Sequence, residues 1–84
     1  MSKKDKAYLA HEDEMFDELL DLLLSDYLLA IELFIEWKNR VLSKFQNRSS
    51  DLIITKIEAY IIDKEMLFEN TLNSIPEYNH YLNA

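Results

Sequence analysis

The sequence predicts an all-α protein, and three observations carry that prediction. No glycine and a single proline, Pro76, occur in 84 residues, so the two strongest helix breakers are almost missing. Without glycine there is also no cheap left-handed backbone position for tight hairpins or phosphate-cradling loops. Finally, apolar residues recur every three to four positions through most of the chain, which is the period of a helix with one buried face. The expected architecture is a hairpin of long helices or a small helical bundle that dimerises, formed by one small domain over residues 1–84.

The first helical run begins between Ser2 and Glu12 and ends near Asn47. Ser2-Lys3-Lys4-Asp5 has the form of a capping box, which favours the early start. Its apolar arc holds Met15, Phe16, Leu19, Leu20, Leu23, Tyr27, Ile31, Leu33, Phe34, Trp37, Val41, Leu42 and Phe45. The arc keeps its phase through Ser25-Asp26. One long helix preserves phase without coincidence, and this is the favoured reading. Ser and Asp are nevertheless good N-caps, so a break there gives the alternative, a monomeric bundle of three or four helices.

The polar run 46–51 is the clearest connector and ends in capping residues. A second helix is predicted over about 51–73, with Ile53, Ile57, Tyr60, Ile61, Leu67, Phe68 and Leu72 on one face. Pro76 is suited to the first turn of a short final helix over 76–82. Two antiparallel helices cannot cover an apolar arc half a turn wide, so the excess must meet the terminal segments or a second copy of the chain.

Charge gives the main functional pointer. The net charge is −7, and no basic residue lies between Lys6 and Lys38, a span that holds nine carboxylates. On a continuous helix Glu14, Asp17, Glu18, Asp21, Glu32 and Glu36 share one polar face. A stripe of one sign favours a basic protein partner and repels nucleic acid and anionic membranes. It also serves as a solvated face that keeps a small apolar protein dissolved, and as a DNA mimic if its carboxylates stand in for phosphates. Lys38, Arg40, Lys44 and Arg48 follow the acidic half, so a long helix would be a charge dipole that an antiparallel dimer could pair end to end. Four dispersed cations make direct nucleic-acid binding poor.

Other chemistry has little support. Cysteine is absent, which removes disulfides and thiol catalysis and suits a reducing cytoplasm. No serine is framed by glycine, and no histidine is placed to activate a hydroxyl. Glu58 and Glu65 could be imagined as an acid and a base, but outward carboxylates occur on most helices. An enzyme is not expected. His11 stands near Glu14, Glu18 and Asp21, yet the spacing reverses that of carboxylate-bridged metal bundles, so neither metal nor cofactor is expected. His80 reads as a surface residue. The Lys3, Lys4, Lys6 cluster is followed by acids, unlike a secretory signal. Leucine-rich 19–35 is interrupted by Asp21, Asp26 and Glu32, which excludes a membrane span. Ile62 and Met66, four residues apart on the polar side of the second helix, form an apolar pair suited to a dimer seam or partner contact. Trp37, Tyr60, Tyr78 and Tyr81 are candidate interface anchors, although core packing is the commoner role for such residues.

The stretch Ile57-Glu58-Ala59-Tyr60-Ile61-Ile62-Asp63-Lys64-Glu65-Met66-Leu67-Phe68 resembles the central helix of the TomB/YmoB antitoxins, small acidic helical proteins paired with the Hha/YmoA modulators. The shared pattern is Ile, an acid, Tyr, an aliphatic residue, Asp and then Met-Leu-Phe. The chain lacks that family's cysteine and C-terminal extension, so no thiol-dependent mechanism carries over. The resemblance implies an acidic helical antitoxin. The combined expectation is a cytoplasmic binding module that neutralises or regulates a basic protein partner, as an antitoxin, immunity protein or inhibitor would. A structural, chaperone-like dimerisation protein is the alternative.

Overall fold

The computed structural model describes residues 2–47 and 51–83. Four helices follow one another: α1 Lys3–Ser25, α2 Tyr27–Phe45, α3 Asp51–Asn73 and α4 Pro76–Asn83. No strand occurs among the described residues. Helix α1 opens on the Ser2 capping box. The Asp5 amide donates to the Ser2 hydroxyl at 3.1 Å, and the Ser2 amide donates to the Asp5 carboxylate at 3.4 Å.

The long first helix favoured by the sequence does not form. A single extended residue, Asp26 (φ −156°, ψ 84°), separates α1 from α2. Its amide makes the last α1 bond to the Leu22 carbonyl at 2.8 Å, and its carbonyl accepts the Ala30 amide at 3.0 Å. The Asp26 carboxylate accepts the Leu29 amide at 3.2 Å and so caps α2. One residue therefore closes one helix and opens the next without a left-handed position, which a glycine-free chain would find costly.

The reversal makes α1 and α2 an antiparallel pair: Tyr8 packs on Phe45, and Phe16 packs on Phe34 and Trp37. Helix α3 runs back along both, with Tyr60 beside Trp37 and Phe68 beside Phe34. The result is an up-down-up bundle, closed at one end by α4 through contacts of Tyr27 with Tyr78 and Tyr81. The core contains Phe16, Leu19 and Leu23 from α1 and Ala30, Phe34, Trp37, Val41 and Phe45 from α2. Helix α3 adds Ile57, Ile61, Phe68 and Leu72, and Ile75 follows it. The α1 and α2 sets repeat at three or four residues and the α3 set at four and seven, so each helix buries one stripe. At the centre the Phe34 and Phe68 rings stack at 4.2 Å, with Trp37 against Phe34 at 5.7 Å. Leu42 and Leu67, which the periodicity placed on apolar faces, are exposed. A three-helix core uses a narrower stripe of each helix than the sequence arc suggested.

Candidate binding surface

Opposite α3, the α1–α2 pair leaves a groove of about 300 Å³. Leu19 and the buried Trp37 form its floor, and Met15, Leu22 and Leu33 are partly buried along its sides. Glu18 of α1 and Glu36 of α2 stand on its two banks, and Arg40 lies toward one end. The antiparallel pairing is what brings the two acids to one feature. In sequence they are separated by the reversal at Asp26.

Arg40 does not cancel the negative rim, because its charge is already engaged. Its Nη2 donates to Glu12 Oε2 at 2.8 Å and to Met15 Sδ at 3.5 Å. The Glu12 side chain is only 3% exposed, so the guanidinium supplies the partner that a buried carboxylate requires. The hydrogen bond to Glu12 raises the pKa of Arg40 above its ordinary value. Tyr8 lies against the same pair, and burial first, then the Glu12 charge, push its phenol upward. Lys44 sits over the outer side of the Tyr8 ring at 5.2 Å.

A second polar cluster joins α1 to α3. The Tyr60 hydroxyl donates to Asp13 Oδ1 at 2.5 Å, and Lys64 Nζ lies 3.1 Å from the same oxygen. Lys64 also covers the rings of Phe16 at 4.8 Å and Tyr60 at 5.4 Å. Burial, reinforced by the Asp13 carboxylate, drives the Tyr60 pKa far above its ordinary value of 10.0. Lys38 and Glu65, 3.2 Å apart, tie α2 to α3.

The residues singled out from the sequence are divided by this arrangement. Glu14, Asp17, Glu18 and Asp21 are exposed on α1, and Glu32 and Glu36 are exposed on α2. They do not form one stripe along a rod, because the rod is folded in half. Of the six, Glu18 and Glu36 line the groove. Ile62 and Met66 are 55% and 58% exposed on α3 and take no part in it. Of the cations that an antiparallel dimer could pair with the acidic end, Arg40 is engaged within the chain by Glu12 and Lys38 by Glu65. Of the candidate aromatic anchors, Trp37 is in the core, Tyr60 is bound to Asp13, Tyr78 packs on Tyr27, and Tyr81 is exposed. Glu65 is held by Lys38, whereas Glu58 borders a cavity of about 410 Å³ between α2 and α3. Among the described residues lining that cavity, Glu58 is the one that carries a charge.

Among the described residues no group of three or more His, Cys, Asp or Glu side chains could hold a metal ion. No described helix is long and apolar enough to cross a membrane. The burial of Asp5 and Glu12 and the Asp13–Tyr60–Lys64 cluster went unseen in the sequence. A signal for Glu12 did exist: a reversal at residue 26 sets opposite each other positions whose numbers sum to about 52, as those of Glu12 and Arg40 do. No protein-family model, curated protein or solved structure matches this chain.

Proposed function

We propose that this chain is a binding module for a basic protein partner, acting by occlusion as an antitoxin, immunity protein or inhibitor would. The observation that carries this reading is the α1–α2 groove, apolar along its floor and bordered by Glu18 and Glu36. A basic amphipathic helix is the natural occupant. Its apolar face would meet Met15, Leu22 and Leu33, and its cations would meet the two banks. The remaining carboxylates of α1 and α2 would steer such a partner by long-range attraction, while the apolar floor would supply most of the affinity.

The sole tryptophan lies in the groove floor, so its fluorescence provides a direct readout. The probe is a synthetic Lys/Leu amphipathic helical peptide, compared with a peptide of the same composition in scrambled order. The amphipathic peptide should bind at least tenfold tighter and shift the Trp37 emission. Leu22→Asp should abolish this binding while helicity is retained. Equal affinity for the two peptides, or unchanged binding by Leu22→Asp, would refute the assignment.

A further inference from the structure

Helix α3 carries a second surface that the groove leaves untouched. Leu52, Thr55, Ala59, Ile62 and Met66 are all exposed along its outer side. Their spacing of three, four, three and four residues is that of the first and fourth positions of a heptad. That is narrower than the stripe α3 buries in its own bundle and matches the seam of a helix pair. None of the five carries a charge.

We propose that this seam pairs with the same seam of a second copy, antiparallel, with residues whose numbers sum to 121 facing each other. Two features select this occupant and direction. The first is volume. In this register Thr55 faces the partner's Met66, and Ala59 faces the partner's Ile62, so in the four central contacts a large side chain meets a small one, while at each end Leu52 lies beside the stem of the partner's Glu69. A parallel pair would set Ala59 on Ala59 and Met66 on Met66, alternating gaps with crowding. The second is charge. On one flank of the seam stand Lys56 and Asp63, both exposed and neither in an ion pair of its own chain among the described residues. The antiparallel register sets Lys56 opposite the partner's Asp63, and symmetry repeats the contact. On the other flank Glu58 would approach the partner's Glu65. That carboxylate is already bound by Lys38 at 3.2 Å, so Glu58 would meet a neutralised pair. A parallel pair would instead oppose Glu58 to the partner's Asp63, two acids with no cation between them. The seam lies on α3 and the acid-rimmed groove on α1 and α2, so pairing leaves the groove open.

Light scattering over a concentration series reads the mass of the intact chain. The mass should rise from monomer to dimer as concentration increases. Lys56→Glu and Asp63→Lys should each weaken association at least tenfold, and the two together should restore it to within about threefold. These exposed substitutions leave the core alone, and circular dichroism checks that helicity is unchanged. The absence of cysteine permits a test of direction. Thr55→Cys combined with Met66→Cys should oxidise to a covalent dimer, whereas Met66→Cys alone should not. Within one chain the two positions are about 16 Å apart along the helix, too far to bridge. A mass that stays monomeric at every concentration, a double charge reversal that fails to restore pairing, or a covalent dimer of Met66→Cys alone would overturn the proposal. In the monomeric case the stripe would belong to a foreign partner or to none.

Discussion

Arg40 reaches across the first helix pair to Glu12, 28 residues earlier in the chain, and holds its buried carboxylate at 2.8 Å. Removing the cation strands a carboxylate that is 3% exposed. Such losses cost about 3–5 kcal/mol when both partners are buried. The Arg40 side chain is 46% exposed, so water already screens part of the pairing, and Arg40→Ala should cost about 1–3 kcal/mol. Replacing both residues with leucine should recover most of the loss, because no charge is then left unpaired. Urea midpoints of the single and double variants measure the difference. A double variant as unstable as Arg40→Ala would show that packing, rather than the stranded charge, sets the cost.

The Tyr60 hydroxyl, bound to Asp13 and flanked by Lys64 and Trp37, makes stability depend on pH at the alkaline end. Its folded pKa lies above the ordinary 10.0, so the unfolded chain releases this proton first as pH rises. The contribution is complete below about pH 10 and declines above it, by at most about 1.4 kcal/mol per pH unit for one such group. Tyr8, shifted in the same direction, adds to the decline. Tyr60→Phe should be less stable than the parent at pH 8 and should lose stability more gently above pH 10. Parallel stability curves for the two proteins would exclude Tyr60 as the titrating group.

Asp26 should account for part of the α1–α2 reversal. Asp26→Ala removes the bond from the Leu29 amide and installs the strongest helix former where the chain must leave the helix. The expected loss is about 1 kcal/mol, and Asp26→Asn should retain most of the stability. If Asp26→Ala unfolds at the parent's urea concentration, packing between the two helices alone dictates the turn.

That reversal also marks the limit of what the sequence could tell. All-helical character was legible because breakers are missing and apolar spacing is regular, both of which are local properties. The break was legible only as the alternative that the capping residues Ser25 and Asp26 offered, because α1 and α2 turn the same arc inward on either side of one extended residue. Leu19 and Leu23 before it and Ala30 and Phe34 after it keep the phase that an unbroken helix would have. Periodicity reports which face is buried and is blind to whether the axis reverses. The same blindness hid the Glu12–Arg40 pair and spread over one rod the acids that the fold places on two banks. Exposure of Ile62 and Met66 was legible, since they lie off the main face of α3.

The aromatic stack should be the least tolerant part of the core. Phe68 is buried face to face with Phe34, and Trp37 lies against Phe34. Phe68→Ala removes a ring from a close-packed centre and should cost about 3–5 kcal/mol, a large share of the stability of so small a domain. Phe68→Leu should cost about 1–1.5 kcal/mol, since most of the volume remains. Thermal melts followed by Trp37 fluorescence compare the two, and equal losses would mean that ring stacking rather than filled volume is the dominant contribution.

Groove recognition and general acidity make different predictions for variants of equal charge. Glu18→Lys with Glu36→Lys changes the net charge as much as Asp17→Lys with Asp21→Lys, and all four positions are exposed. If the basic amphipathic probe is drawn only by the field of the whole molecule, both pairs should slow association equally, and salt should erase both effects. If it lies between Glu18 and Glu36, the first pair should also accelerate dissociation, because those carboxylates stay in contact with bound cations. That loss should persist in part at high salt, where long-range steering is screened. Association and dissociation rates measured for both variants at two salt concentrations separate the cases. Equal dissociation rates for the two variants would reduce the acids to steering and leave the groove without a role in holding the partner.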